Sequence, residues 1–321
     1  MLPSPARISL ALGGSVVIQT SAPVSVIGTG IMGGSIAKHL LTAGHPLHVH
    51  TRTRAKAEPL LQGGACWHDT PESAAAAGEV VITMLGLPGD VEQVYFGSDG
   101  SGGIIRAAAS GSLLIDMTTS SPRLAERIAT AATARGLAAI DAPVSGGDLG
   151  ARTGTLVIMV GGDQASFERA KPLLEILGKA VTRLGPPGSG QRCKLANQVA
   201  VAVGMVAWCE ALTMAEAGGL DPAAVQQVIS GGAAGSWALT NLAPRALAGD
   251  NAPGFLVQHL VKDIHLAREE AERTGCDLPG LEVAERLYEA LAAAGQGQAG
   301  TQALFRWYEV RQRLHADGGT P

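Results

Sequence analysis

From residue 23 to about residue 185, short apolar runs alternate with amphipathic segments, and this alternation constrains the fold more than any other feature. The apolar runs read PVSVIG, PLHVHT, EVVITML, SLLIDMT, AAIDAPV and GTLVIMVGG. Runs that are apolar throughout are typical of strands in a parallel sheet covered by helices on both faces. The sequence therefore predicts an α/β fold that begins with a doubly wound Rossmann domain.

The strand patterns end near residue 186, and the remaining chain carries helical patterns. A Gly/Pro-rich segment, GPPGSG, separates the two regions. Further on, Asp221 and Pro222 form a typical helix start. We therefore predict an N-terminal extension at residues 1–22, the Rossmann domain at residues 23–186, and an all-helical C-terminal domain at residues 187–321.

Composition and charge exclude several classes of function. The chain has 321 residues and a formal net charge of −4, and it lacks the basic stripe that a nucleic-acid-binding protein needs. The four cysteines are widely spaced without a CxxC pair, which predicts reduced thiols in a cytoplasmic protein. Neither the cysteines nor the eight histidines have metal-ligand spacing, so no metal site is expected.

Two apolar segments raise the question of a membrane or a targeting signal. Residues 199–214 are apolar but contain Glu210, and the segment is shorter than the roughly 20 residues of a membrane span. It therefore predicts a helix buried in protein, and no membrane partner. The segment ISLALGGSVVI resembles a signal peptide only weakly, because glycines interrupt it and only Arg7 precedes it, so an extension is favoured.

Three glycines, Gly28, Gly30 and Gly33, lie between the first strand and the first helix. Glycines at this spacing permit a tight turn, close approach of the backbone to a pyrophosphate, and close packing of the helix on the strand. The sequence therefore predicts a dinucleotide site here, to which Ile31 and Met32 of the same motif contribute.

The segment after these glycines bears on which dinucleotide binds. Such sites usually carry an acid about 20 residues further on, which holds the ribose 2′-hydroxyl of NAD. No Asp or Glu occurs at residues 28–57, and Thr51, Arg52 and Thr53 stand at the end of the second strand. A guanidinium with no competing acid in reach suits the 2′-phosphate of NADP. The segment favours NADP over NAD; alternatively, Arg52 is an ordinary surface cation.

Two further segments carry candidate chemistry. Ser145, Gly146 and Gly147 follow a strand, where open α/β sheets bind ligands, and they suit a substrate carboxylate unless they form a simple glycine turn. Lys194 lies at the start of the long apolar helix, where desolvation and the helix N-terminus lower a lysine pKa. Such a lysine serves as a general acid; alternatively, it extends out of the domain junction into solvent. A surface ion pair or a helix cap is the default interpretation of Lys262 and its neighbour Asp263.

Taken together, four segments resemble the β-hydroxyacid dehydrogenase family. They are GTGIMG, DAPVSGG, GSGQRCK and KDIHLA, they occur in the family's order, and the resemblance covers about residues 23–310. Within the family, KLANQ, EALTMAEAGGLDP and SGGAAGS are most similar to reductases of tartronate semialdehyde. Gln198 stands where the family often has Asn, and Gly86 stands where it often has Pro.

The resemblance implies a role for each candidate residue. Lys194 would be the catalytic acid/base, and Ser145, Gly146 and Gly147 would hold the substrate carboxylate. Further cofactor contacts would come from Met84, Leu85, Thr119 and Lys262, and further substrate contacts from Asn197, Gln198, Trp237, Phe255 and Asp263.

The resemblance also implies an activity and an assembly. We expect NADPH-dependent reduction of a small semialdehyde acid such as tartronate semialdehyde, with NAD as the less favoured cofactor. The alternatives within the family are a 3-hydroxyisobutyrate dehydrogenase and a succinic or glyoxylic semialdehyde reductase. The alternative from another class is a non-catalytic NADP-binding module. Relatives imply a homodimer or homotetramer. We expect the protein to bind a small carboxylate substrate and no nucleic acid.

Overall fold

The computed structural model describes residues 22–98, 100 and 102–316. The predicted N-terminal extension therefore lies outside the described residues, apart from Ala22. In the described part of the chain, the named strands end at Gly185 and helices dominate from Ser189 onward. The predicted order, a Rossmann domain followed by a helical domain, is confirmed.

Nine strands within the described ranges form one sheet. They are β1 (Val24–Ile27), β2 (Leu47–His50), β3 (Cys66–Trp67), β4 (Val80–Thr83), β5 (Leu113–Asp116), β6 (Ala138–Asp141), β7 (Val144–Ser145), β8 (Leu156–Gly161) and β9 (Gly178–Gly185). Their spatial order is β3-β2-β1-β4-β5-β6-β8-β7, and β9 pairs with β8.

The sheet is parallel from β3 through β6, as predicted, but it is mixed beyond that point. β8 runs antiparallel to β6 and β7 and parallel to β9. The connection from β7 to β8, residues 146–155, is shorter than the dozen or more residues that a parallel crossover needs. The polar strand β9 was not predicted at all, because most of its side chains are half-buried or exposed and it has no continuous apolar run.

Eight helices of the described chain pack on this sheet. They are α1 (Ile31–Thr42), α2 (Glu58–Gln62), α3 (Pro71–Ala77), α4 (Pro88–Phe96), α5 (Gly103–Ala107), α6 (Pro122–Thr133), α7 (Gly147–Thr153) and α8 (Gln164–Leu177). Val26 and Ile82 pack in one core with α1 and α8, while Ile27 and Val81 pack in a second core with α4 and α6. Because successive strand residues face opposite sides, the two cores cover the two faces of the sheet.

The strand order reverses between β1 and β4, and this reversal places the cofactor crevice. β2 and β3 follow β1 on one side, whereas β5 and β6 follow β4 on the other. Doubly wound sheets bind their ligands outside the carboxyl ends of the strands at such a point. The glycine turn after β1, the loop after β4 and the loop after β5 all meet there.

Seven helices form the C-terminal region of the described chain. They are α9 (Ser189–Ala217), α10 (Pro222–Ser230), α11 (Trp237–Asn241), α12 (Ala243–Leu247), α13 (Val257–Thr274), α14 (Pro279–Leu291) and α15 (Leu304–Ala316). The predicted start of α10 is present, since the Asp221 carboxylate accepts a hydrogen bond from the backbone N–H of Ala223.

The long helix α9 is the centre of this region. By length and composition it is the one helix of the described chain that could cross a membrane, but half of its most apolar stretch is buried within the protein. It packs against α13, α14 and α15, and Met205, Trp208 and Leu212 lie in a common core with Tyr288 and Phe305. This is the packing of a core helix, as the sequence predicted.

Candidate active site

One cavity of about 1490 Å³ joins the carboxyl edge of the sheet to the helical region. All residues that the sequence predicted for the site line it, although their individual roles stay predictions. The predicted cofactor residues on its wall are Gly28, Gly30, Ile31, Met32, Gly33, Thr51, Arg52, Thr53, Met84, Leu85, Thr119 and Lys262. The predicted catalytic and substrate residues on its wall are Ser145, Gly146, Gly147, Lys194, Asn197, Gln198, Trp237, Phe255 and Asp263.

The glycine turn after β1 has the close packing that the motif predicts. Gly28 has a φ of +96°, and a Cβ at this position would collide with the carbonyl oxygen of Met84. A Cβ at Gly33 would collide with the carbonyl oxygen of Gly28, so only glycine lets α1 approach the turn this closely. At Gly30 a Cβ would meet no described atom within 4 Å, which leaves room for a phosphate against the turn.

An unpaired hydroxyl in the same turn also fits a bound dinucleotide. The Thr29 side chain is buried, and its Oγ1 has no hydrogen-bond partner among the described residues. Buried polar groups normally have a partner, and a phosphate or ribose oxygen would supply one. Nearby, the Leu85 backbone N–H donates to Thr118 Oγ1 at 2.9 Å, which ties the loop after β4 to the loop after β5. The residues present thus fit the cofactor that the motif predicts.

At the end of β2, Arg52 meets an acid that its own segment lacks. The Arg52 side chain is 84% exposed, and its Nη1 lies 3.2 Å from Oδ1 of Asp90. Asp90 belongs to the first turn of α4, and the fold brings it to Arg52 across 38 positions of the chain. The interpretation that no competing acid lies in reach of Arg52 is therefore wrong, because it considered only neighbours along the sequence.

Lys194 is buried in α9, with 7% of its surface exposed, and it belongs to a hydrogen-bonded chain. Its Nζ donates to Gln198 Oε1 at 2.9 Å, and Gln198 Nε2 donates to Asp263 Oδ2 at 2.6 Å. Asn197 Nδ2 also donates to Gln198 Oε1, at 2.8 Å. The alternative of a lysine that extends into solvent is wrong, and the side chains that follow it by three and four residues share its helix face as predicted.

Lys262 and Asp263 connect this chain to the cofactor wall. Asp263 is 1% exposed, and its Oδ1 lies 2.7 Å from Lys262 Nζ. The same Nζ donates to the carbonyl oxygen of Thr119 at 2.8 Å. The default interpretation of a surface ion pair or helix cap is therefore wrong, because Asp263 is buried, Lys262 is half-buried against the loop after β5, and both lie in the interior of α13.

Burial in this position lowers the pKa of Lys194 to about 8. The negative charge of Asp263 opposes this shift, while the positive charge of Lys262 adds to it. A lysine with a pKa near 8 holds its proton at neutral pH and releases it at a small free-energy cost, as a general acid must.

Asp141, whose role the sequence did not predict, fixes the start of α9. This carboxylate at the end of β6 accepts hydrogen bonds from the backbone N–H groups of Gly188 at 2.7 Å and Gln191 at 2.8 Å. Burial raises its pKa to about 6, and the same two N–H groups oppose that shift. A Cβ at Gly190 would lie 2.8 Å from Asp141 Oδ2, so the carboxylate can approach only because residue 190 is glycine. The glycine in the segment GSG was therefore the sequence feature that could have indicated this close approach.

Gln191, also not selected, holds α9 against the loop after β5. Its side chain is fully buried; Oε1 accepts from the Ser120 N–H at 2.9 Å, and Nε2 donates to the Thr118 carbonyl at 2.7 Å. Thr119 lies between these two contacts, and Lys194 follows Gln191 by three residues. The distance between the cofactor wall and the lysine therefore depends on this amide.

The candidate carboxylate site lies at the end of β7. Gly146 and Gly147 have φ values of +130° and +62°, so the chain turns here without side chains and its backbone lines the cavity. Ser145 Oγ lies 3.5 Å from Asn197 Oδ1, a long contact that a substrate oxygen can replace. The arrangement brings the serine and the two glycines to the same cavity wall as Lys194.

The other side of the cavity comes from the helical region. Trp237, the first residue of α11, is 57% exposed at the rim, and the ring of Phe255 lies 6.4 Å from that of His259. His259 and Arg245 line the cavity but were not predicted. Because His259 precedes Asp263 by four residues on α13, helical spacing was the signal that could have identified it.

One group of potential metal ligands occurs in the described chain, outside the cavity. It consists of His265, Glu285 and Glu289 on α13 and α14. His265 pairs with both carboxylates, and Glu285 also pairs with Arg268 at 3.3 Å, so these groups already have partners.

Comparison with known families assigns both regions of the chain. The family described as the NAD binding domain of 6-phosphogluconate dehydrogenase matches residues 23–185. The family described as NAD-binding of NADP-dependent 3-hydroxyisobutyrate dehydrogenase matches residues 188–308. The first match contains the glycine turn, and the second contains Lys194.

Individual proteins are similar over nearly their whole length. An uncharacterised oxidoreductase of Bacillus subtilis (strain 168) is 51% identical over 88% of this chain and 97% of its own. The 2-hydroxy-3-oxopropionate reductase of Escherichia coli (strain K12) is 40% identical over 88% of this chain and 96% of its own. The structure of Mycobacterium tuberculosis 3-hydroxyisobutyrate dehydrogenase with L-serine has a TM-score of 0.80 and 31% identity, and it covers 89% of this chain and 98% of that chain.

Proposed function

Because this chain belongs to the β-hydroxyacid dehydrogenase family and is an NAD(P)-dependent oxidoreductase that acts on CH–OH groups, we propose that it reduces a small semialdehyde acid with NADPH. Its membership of this family confirms the predicted enzyme and argues against a non-catalytic NADP-binding module. The substrate we propose is tartronate semialdehyde, whose aldehyde becomes the primary alcohol of glycerate. The observation that carries the proposal is that a buried lysine shares one cavity with the glycine turn and the Ser145 turn.

Lys194 acts as the general acid in this reaction. A reduced nicotinamide, when bound in the cavity, would supply the hydride that the aldehyde carbon accepts. Lys194 Nζ donates a proton to the carbonyl oxygen as negative charge develops there, so the product leaves as the alcohol and the lysine is left neutral. Gln198 Oε1 accepts from Nζ at 2.9 Å and orients the amine, and Asp263 holds Gln198 through its Nε2. The reverse oxidation uses the neutral lysine as the base.

Ser145, Gly146 and Gly147 position the substrate by its carboxylate. The Ser145 hydroxyl is a donor at the cavity wall, and the glycines let a charged group approach the backbone without steric hindrance. Binding the carboxylate at one end fixes the aldehyde relative to Lys194 at the other, which is how orientation lowers the barrier. Asn197, which contacts both Ser145 and Gln198, links the two ends.

A panel of substrates tests the choice of semialdehyde. We expect kcat/KM with NADPH to be about tenfold or more higher for tartronate semialdehyde than for succinic semialdehyde or glyoxylate, because both of these lack its hydroxyl and a pocket that hydrogen-bonds a substrate hydroxyl discriminates by at least this factor. The loss of NADPH absorbance measures the rates. The oxidation of 3-hydroxyisobutyrate with NADP is measured in parallel.

Two outcomes of this panel contradict the proposal. If 3-hydroxyisobutyrate is the most efficient substrate, the enzyme is a 3-hydroxyisobutyrate dehydrogenase, the function of the similar M. tuberculosis protein. If all the compounds are inert, the proposed substrate class is wrong.

The preference for NADPH is tested at Arg52. We expect Arg52→Ala to raise KM for NADPH about tenfold, since it removes a charge-assisted contact to the 2′-phosphate, and to leave KM for NADH nearly unchanged. Arg54→Ala is the matched control, because Arg54 stacks on Trp67 and does not line the cavity. A wild-type enzyme that prefers NADH would contradict the proposed cofactor.

The remaining expectations stay predictions from the sequence. They are a homodimer or homotetramer and a cytoplasmic location.

A further inference from the structure

Asp90 makes two separate contacts, one to the start of its own helix α4 and one to Arg52 at the end of β2. Its Oδ2 accepts a hydrogen bond from the backbone N–H of Leu87 at 3.2 Å, and its Oδ1 lies 3.2 Å from Nη1 of Arg52. One carboxylate oxygen therefore caps α4, while the other faces the arginine. Both Arg52 and Asp90 line the cavity.

The loop before α4 leaves space for this carboxylate. A Cβ at Gly86 would lie 3.3 Å from Asp90 Oδ2, which is closer than most contacts of real side chains. The glycine thus lets the carboxylate stay against the loop, where it reaches Arg52. An acid from the first turn of α4 and a cation from the end of β2 consequently meet where a doubly wound fold places the ribose of the adenosine.

We propose that Asp90 is a specificity-determining residue that limits the preference for NADPH over NADH. The inference rests on the proposed use of NADPH through Arg52. A 2′-phosphate is an anion, so it competes with Asp90 for the guanidinium and is repelled by the carboxylate. A ribose 2′-hydroxyl is neutral, and a carboxylate is the acceptor it pairs with in NAD sites. The chain therefore carries a recognition group for each cofactor: Arg52 for the 2′-phosphate of NADPH and Asp90 for the 2′-hydroxyl of NADH.

The Asp90→Asn variant tests this inference. Asparagine keeps an oxygen that caps the helix and removes only the negative charge. We expect the ratio of kcat/KM for NADPH to that for NADH to rise about fivefold. The expected change is modest because the Arg52 side chain is exposed, and solvent weakens the interaction between exposed charges. Glu92→Gln is the matched control, because Glu92 lies on the same helix, pairs with Arg127 at 2.8 Å, and does not line the cavity. Its ratio should equal that of the wild type.

The outcomes separate this inference from the proposed cofactor. A ratio in Asp90→Asn that equals that of Glu92→Gln overturns the inference. An equal loss of efficiency with both cofactors, accompanied by a lower Tm, also overturns it, because it would show a purely structural role. The wild-type ratio alone decides the proposed cofactor: a ratio below one contradicts NADPH use, whatever the two variants do.

Discussion

Replacing Lys194 with alanine should lower kcat for semialdehyde reduction by about 10²- to 10⁴-fold, the range that a positioned general acid contributes. The loss should appear in the hydride-transfer step, because the other donor to Gln198 Oε1, the amide Nδ2 of Asn197, is a neutral group that cannot give up a proton as the Lys194 ammonium does. Stopped-flow oxidation of enzyme-bound NADPH, with substrate added in excess, measures this step directly. The Kd for NADPH should change little, since the glycine turn stays intact.

The pH profile supplies a second readout of the same substitution. In reduction Lys194 must start protonated, so kcat/KM should fall as the pH rises through about 8. In oxidation it must start neutral, so kcat/KM should rise through the same pH. The residual activity of Lys194→Ala should lack both limbs.

The control for this prediction is Lys171→Ala. Lys171 is a lysine of α8 whose side chain is 44% exposed and whose Nζ lies 3.9 Å from a carboxylate oxygen of Glu175, and it does not line the cavity. Its loss should leave kcat and both pH limbs unchanged. If Lys194→Ala turned over like this control, Lys194 would not be the general acid.

Most of the fold was predictable because its strands are buried on both faces. β1, β4 and β5 are buried throughout, and such runs are visible in the sequence without any knowledge of their neighbours. β9 was not predictable in this way, because it pairs with only β8 and carries polar residues such as Lys179 and Arg183. β3 has two residues, too few for any pattern.

The site was predictable only where its chemistry is local in the sequence. Gly28 and Gly33 act on each other across a turn, and Lys194 reaches Gln198 across one helical turn. The contacts that were missed join distant positions: Arg52 to Asp90 across 38 positions, and Gln191 to the loop after β5 across 71 and 73 positions. A single Asp or Gln leaves no periodic pattern in the sequence, so its distant partner cannot be read from the sequence. These contacts become visible only once the strand order shows which loops lie side by side.

The second large effect is expected at Gly33, where alanine should lower both stability and cofactor binding. The new methyl group would collide with the carbonyl oxygen of Gly28 and lie 3.3 Å from Met84 Cβ, so α1 must move away from the turn. Overpacking of this kind costs about 1–3 kcal/mol, which lowers the Tm by about 2–12 °C in a domain of this size. The displaced turn should reduce kcat/KM for NADPH about 10²-fold.

The neighbouring Gly34 provides the matched control for Gly33→Ala. Both glycines lie in the first turn of α1, but a Cβ at Gly34 would lie at an ordinary van der Waals distance, 3.5 Å, from the carbonyl oxygen of Thr29. Gly34→Ala should therefore keep NADPH binding and raise the Tm slightly, since alanine favours a helix by about 1 kcal/mol over glycine. Calorimetry and NADPH titration of the two variants separate the steric effect from the helix preference. Equal behaviour of the two variants would show that close packing of α1 on the turn does not determine cofactor binding.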